Sequence, residues 1–383
     1  MPEPLFTRRF VALWVFAFIT FFSAFQLLPA IPFRIIELGG TKAQAGWFLT
    51  AYTFASAFAA PIMGTIADHI GRKRMLMIAS ALFIAFSLLY GAVGQIPLLL
   101  LIGIVHGALW SGLMSAASAI MSEFIPESRR TEGLAYWGLA GNMAIAAAPA
   151  VGLMVFHYGW FALCVEMALL STVMLVWSSR LPGIEHRVDT VLPTWSEAWD
   201  WRVIRAALSM AVIAFGYGGV TSYVAIMSGD RHIEPKWLFF AVYAITVVLV
   251  RVFTARLGDV FGVGYLLYPS FAAFPVSLFL LATANSRPDL LVSAILFGIG
   301  FGGAWPAFAN FIITNTDARW RARSFGSIVL AFDSGIGIGS LVTGSIIGRH
   351  SYATAFTVAG AVSCLAIPIF IMASRGMRQR ETT

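Results

Sequence analysis

The sequence has 383 residues, of which 59% are hydrophobic and 11% charged, where a soluble globular domain carries roughly 25% charged residues; a water-soluble fold is excluded. The formal net charge of +7 comes from basic residues scattered between apolar segments, without the stripe or tail that nucleic-acid binding needs. At about 20 residues per helical span, with loops taking roughly a third of the chain, about twelve spans fit.

Taken in order, apolar runs fall at 10–32, 45–66, 75–96, 98–121, 132–155 and 159–179, then at 203–227, 236–257, 264–284, 289–313, 324–347 and 352–373. Each is a continuous apolar stretch, whereas barrel strands alternate over roughly ten residues, so these predict helices. The first run follows Arg8 and Arg9 and is too long for a signal-peptide core, so it is expected to stay as a transmembrane helix. The polar stretch from Arg180 to Arg202 divides six spans from six. It predicts a six-helix bundle over 1–180, a cytoplasmic linker over 181–202 and a second bundle over 203–383. Within the linker, WSEAWDW reads as a short helix lying at the membrane interface. With the N-terminus in the cytoplasm, eighteen Lys and Arg fall on that side and six on the other, with Arg251 inside a span; that bias puts both termini in the cytoplasm.

A shift of 191 residues superimposes Tyr52 on Tyr243, Asp68 on Asp259, Gly71 on Gly262, Gly107 on Gly298, Gly112 on Gly303, Arg130 on Arg321 and Asn142 on Asp333. One offset serving several separate regions predicts a duplicated six-helix unit. Duplicated bundles with a site between the halves are the architecture of secondary transporters.

Residues 64–74 read G-T-I-A-D-H-I-G-R-K-R. Gly64 would permit close helix approach and Gly71 a tight turn. Asp68 could accept from the free N–H groups of a helix N-terminus, and Arg72, Lys73 and Arg74 would enforce sidedness. This loop resembles the G-x-x-x-D-x-x-G-R-K/R-R loop of the major facilitator superfamily. A degenerate copy, Ala255 with Asp259 and Gly262, follows the eighth span; Arg251, just upstream, could snorkel to the cytoplasmic interface or pair within the loop network. The resemblance implies an all-α membrane protein of twelve transmembrane helices in two six-helix repeats. It further implies that Asp68 latches the start of span 11, near Ser324, on the cytoplasmic face in the outward-open state. Span 5, with Gly138, Gly141, Pro149 and Gly152, resembles a degraded Gly-rich antiporter signature. Residues 129–133 likewise resemble those of bacterial drug and sugar efflux members. In span 4, Gly103 stands where drug:proton antiporters often carry an arginine.

Ionisable residues at membrane depth are functional candidates. Asp333 lies near the middle of span 11, with its repeat mate Asn142 at similar depth in span 5. His106 sits at midplane depth in span 4 and Glu166 in span 6. Each has a quieter alternative as a side chain satisfied by neighbouring helices. Gln26, Trp110, Tyr136, Trp137, Tyr217, Tyr223, Trp305 and Asn310 are expected to line a cavity from spans 1, 4, 5, 7 and 10, with Gln26 and Tyr217 as repeat mates. Aromatic and amide groups together suit a small amphipathic solute.

Cys164 and Cys364 lie in apolar stretches without metal-ligand spacing, and no phosphate-binding loop or hydrolytic motif is present. The expectation is therefore a transporter without cofactor or metal, not an enzyme, acting as a monomer in the lipid bilayer of a bacterial inner membrane. Proton-coupled export is the leading reading. A facilitator or proton-coupled importer, which Gly103 favours, is the alternative; a membrane-embedded enzyme or non-transporting scaffold is a remote one.

Overall fold

A computed structural model describes residues 4–181, 199–254, 263–316 and 321–378. The first half runs α1 (Arg8–Glu37), the single-turn α2 (Lys42–Ala45), α3 (Trp47–Ile70), α4 (Arg72–Ala92), α5 (Ile96–Phe124), a 3-10 turn (Glu127–Arg129), α6 (Arg130–Phe156) and α7 (Trp160–Arg180). The second half runs α8 (Trp201–Asp230), α9 (Leu238–Thr254), α10 (Gly264–Thr283), α11 (Arg287–Thr314), α12 (Arg321–Arg349), α13 (Tyr352–Ser363) and α14 (Ala366–Arg378). Among the described residues there is no strand. Eleven segments are long and apolar enough to cross a membrane, with α2–α3 and α13–α14 each counted as one, and Leu238–Arg251 is a shorter apolar helix. These segments match the twelve predicted spans. The twelfth is broken at Cys364 and Leu365, where a turn separates α13 from α14. The expected linker and its interfacial helix fall almost wholly on 182–198, and Asp259 and Gly262 on 255–262; both stretches lie outside the described residues.

Local chemistry fixes the helix ends. The Thr7 hydroxyl accepts from the Phe10 N–H at the start of α1, satisfying one of the free donors of the first turn. Thr41 and Gln44 form a reciprocal capping box around α2, and Ser286 and Asp289 do the same for α11. Gly71 joins α3 to α4 at φ 98°, a conformation that a side chain disfavours, so the predicted tight turn is present.

The two halves repeat one packing scheme. α1 lies on α6 as α8 lies on α12; α3 lies on α5 as α9 lies on α11; α4 meets α5 as α10 meets α11. Across the halves, α3 meets α12 and α9 meets α6, again a symmetric pair, while α1 meets α8. The repeat mates Gly107 and Gly298 occupy the same crossing. A Cβ on Gly107 would be driven into the Tyr52 carbonyl oxygen, and one on Gly298 would lie 2.6 Å from the Thr246 Cβ and 3.2 Å from the Tyr243 oxygen. The offset of 191 residues thus describes duplicated backbone contacts.

One expectation of close packing is corrected. A Cβ on Gly64 would meet only Ser115, at an ordinary 3.7 Å, so no close approach occurs there in this conformation. Close packing does occur along α12, which runs unbroken through Gly335, Gly337 and Gly339. Gly335 and Gly339 bring it against the α8 backbone at Ala211 and Phe215, while Gly337 faces Thr53 of α3.

Candidate functional site

A cavity sits where α1, α3, α5, α8 and α12 converge. It is lined by Phe25 and Leu28; by Leu49, Tyr52, Thr53 and Ser56; by Trp110; by Tyr217 and Thr221; and by Phe332, Asp333 and Ile336. Asp333 stands twelve residues into α12, roughly 18 Å along the axis, near the middle of the span as expected. Its carboxylate Oδ2 accepts a 3.2 Å hydrogen bond from Ser56 Oγ of the opposite half. The Tyr52 hydroxyl is buried without a hydrogen-bond partner, and the buried Thr221 hydroxyl lies beside that of Tyr217. The cavity's volume is about 40 Å³, room for water but far below the roughly 300 Å³ or more of a small-molecule site. Admitting a solute requires the halves to part.

Two of the expected lining residues, Trp110 and Tyr217, belong to this cavity, together with the candidate carboxylate Asp333. The Trp110 ring meets Phe21 edge-on at 4.9 Å, and Tyr217 stacks on Phe301 at 4.6 Å. The lining comes from spans 1, 2, 4, 7 and 11, so the expected contribution of spans 5 and 10 is corrected. Asn142 turns back on its own helix and donates to the Gly138 carbonyl at 2.6 Å. Tyr136 is exposed near the start of α6, its carbonyl accepting from Trp14 Nε1 at 2.8 Å. Trp137 is half-buried against the surrounding apolar core. Trp305 packs on Phe332 at 4.6 Å, one ring removed from the cavity wall, and Asn310 is exposed. Tyr223 lies elsewhere, donating to the Lys42 carbonyl at 2.9 Å.

His106 is buried in an aromatic cage of Tyr52, Phe83, Phe86 and Tyr90, with ring centres at 4.4–6.0 Å. Its Nδ1 is 3.2 Å from the Tyr90 hydroxyl, and it is absent from the cavity wall. Glu166 sits at the junction of α7 with α1, where its Oε1 accepts from Gln26 Nε2 at 3.1 Å; this pair is also off the cavity wall, although Gln26 adjoins Phe25. Arg251 is half-buried near the end of α9, its Nε without a partner.

One end of the molecule is closed by contacts between the halves. Lys42 of α2 pairs with Asp230 of α8, and Tyr352 donates to the same carboxylate oxygen at 2.7 Å. Ser340 donates to the Gly46 carbonyl at 3.0 Å and Thr50 to that of Gly337 at 2.8 Å. Sequence reasoning missed these residues and also Thr53, Ser56, Thr221 and Phe332; the opposite charges of Lys42 and Asp230 at span ends on one side were the available signal. At the other end, Asp68 accepts from Arg72 Nε at 2.8 Å, and Arg72 also reaches Glu123. The latch to α12 expected of the outward-open state is not made in this conformation, which is closed at the Lys42 end: Asp68 is engaged by Arg72. The Arg129 guanidinium pairs with the exposed Glu132 carboxylate at the start of α6.

The sequence matches the family model described as Major Facilitator Superfamily over residues 13–336 and again over 206–382. The chain belongs to the major facilitator superfamily. It is similar to the quinolone resistance protein NorA of Staphylococcus aureus, 21% identical over 373 residues that cover 92% of this chain and 93% of that protein. It is also similar to the multidrug export protein EmrB of Haemophilus influenzae, 27% identical over 169 residues. That match covers 42% of this chain and spans about a third (33%) of the Haemophilus protein's length. Among solved structures it resembles the nucleoside transporter NupG, with a TM-score of 0.73 at 14% identity over 96% of this chain and 99% of the other. The human organic anion transporter MFSD10 gives 0.73 at 15% identity over 96% and 100%. A peptide transporter POT bound to sulfate gives 0.75 at 13% over 97% and 95%. The superfamily protein described here is therefore an integral membrane transporter with the major facilitator fold.

Proposed function

We propose that this chain exports a small amphipathic organic solute in exchange for protons, by alternating access between bundles 1–180 and 203–383 joined by the 181–202 linker. One observation carries the reading. A carboxylate, Asp333, sits at mid-membrane in the cavity between the halves, hydrogen-bonded across the interface by Ser56. A buried carboxylate must be neutralised or paired, and no ion pair among the described residues includes Asp333. A proton is the natural partner, and its gain or loss alters the cross-half hydrogen bond. The bias of basic residues supports cytoplasmic termini, which makes the Lys42–Asp230 end external and this conformation closed on that side. The full-length likeness to a quinolone resistance protein supports export.

A proton-coupled importer or facilitator is the second reading, favoured by Gly103. A Cβ there would lie 2.7 Å from the Phe48 ring, so this packing has no room for the arginine of the drug:proton antiporters. Uptake of a fluorescent amphipathic probe into inside-out vesicles with an acidic interior separates the two. Export predicts uptake that collapses when the gradient is dissipated and falls to background in D333N. Gradient-independent flux, with D333N fully active, would overturn the exporter reading.

A further inference from the structure

Where α1 meets α7, an amide and a carboxyl group face each other with one hydrogen bond made and one missing. Gln26 is fully buried and donates from Nε2 to Glu166 Oε1 at 3.1 Å. The remaining oxygens, Gln26 Oε1 and Glu166 Oε2, are both buried acceptors without a donor. Two buried acceptor atoms left without donors at one contact, between the buried Gln26 and the half-buried Glu166, are costly. A single hydrogen on Glu166 Oε2 turns one of them into a donor, and an amide facing a carboxylic acid can close a ring of two hydrogen bonds. A deprotonated Glu166 can make only one of them.

No neighbouring charge offers another solution. The elements packed on α7 are α1, α4 and α6. From α1, the Arg34 guanidinium is held by Glu37 at 3.3 Å and lies over the Trp160 ring at 6.0 Å, about 12 Å along the helix from Gln26. From α4, the Tyr90 hydroxyl is taken by His106. The titratable side chains of α6 among those described, Glu132 and Tyr136, lie at its far end. On α7 itself Cys164 is buried. Among the described residues no ion pair includes Glu166.

We propose that the Gln26–Glu166 pair is a proton-binding site in its own right, separate from Asp333, whose occupancy fastens α1 to α7. Gln26 lies beside Phe25 and two residues from Leu28, both on the cavity wall. A Cβ on Gly152 of α6 would lie 2.6 Å from the Gln26 carbonyl oxygen, so the same residue is also the tight point of α1 on α6. Loading or emptying the pair therefore acts on the helix that forms one wall of the solute cavity. That consequence for transport rests on the exporter reading; proton binding at Glu166 does not.

The test is pH-difference infrared spectroscopy of the full chain in lipid nanodiscs, which reads the C=O stretch of protonated carboxyl groups. A band that persists in D333N and disappears in E166Q is expected, and Q26M should shift its frequency by removing the amide from the ring. The glutamine of E166Q reproduces both hydrogen bonds of the protonated pair, so this variant should fold as well as the parent chain. An E166Q chain that does not fold, or one whose spectra superimpose on the parent's throughout the titration, would overturn the proposal, as would a band unmoved by Q26M. Spectra as expected with no solute flux in proteoliposomes would leave the proton site standing and count against the exporter reading instead.

Discussion

Asp333 and His106 show what depth in a span does and does not say about a polar residue. Both are near mid-membrane, and counting residues from a span's end finds that depth. Depth leaves open which way the side chain points around the helix. Asp333 faces the cavity and the opposite half, whereas His106 faces α3 and α4 and is enclosed by four aromatic rings. The direction depends on which helices pack on which, and that comes from contacts far apart in sequence. Ser56 was illegible for the same reason: serines in apolar helices are common, and only the crossing of α3 with α12 makes this one a partner of Asp333. A structural role for His106 makes a definite prediction. H106F should leave the buried Tyr90 hydroxyl unpaired and lose about 1–3 kcal/mol of stability, seen as a lower thermal midpoint in detergent. Its gradient-driven flux should keep the parent's pH profile; a flattened profile in a folded H106F chain would make His106 part of a proton route.

At the scale of helices the sequence was far more informative, because span length, end signals and the 191-residue offset are all local or periodic properties. All twelve spans were visible, and the repeat pairs Gly107 with Gly298 and Tyr52 with Tyr243 proved to be one helix crossing used twice. The interruption at Cys364 was not visible, since 352–373 is continuously apolar and contains no turn residue between Ser363 and Ala366. The glycines separate two kinds of role. Gly107 abuts the Tyr52 carbonyl, so G107V should force α3 and α5 apart and cost about 1–3 kcal/mol as overpacking. Gly64 has room for a methyl group in this conformation. G64A should therefore leave the thermal midpoint unchanged yet slow transport if α3 closes on α12 at that point in the other state. Equal thermal losses in G64A and G107V would show that Gly64 is already tightly packed here.

For the whole molecule, the proposed alternating access would be a balance between closures at the two ends, and this structure displays one of them. The end bearing Lys42, Asp230 and Tyr352 is fastened by an ion pair and a shared hydrogen bond, and hydrogen bonds from Thr50 and Ser340 continue the seam toward Asp333. At the other end Asp68 is occupied by Arg72. For Asp68 to cap α12 in the opposite state, that pair must loosen as the first seam opens. Lys42 and Asp230 are 42% and 43% exposed, so their ion pair contributes no more than about 1 kcal/mol, roughly a fivefold change in the ratio of states. K42M should shift the population toward the state open at the Lys42 end by up to that factor, leaving the fold intact. A cysteine at Thr53 on the cavity wall, in a chain with C364S, reports the shift through its alkylation by a membrane-impermeant reagent added at the Lys42 end. Faster labelling is expected in K42M, and D68N should slow it by weakening the competing closure while leaving solute binding in place. Labelling unchanged by K42M would mean that the hydrogen bonds along α3 and α12, and not the charges, hold this end shut. Loss of solute binding in D68N would count against a latch and move Asp68 into the site itself.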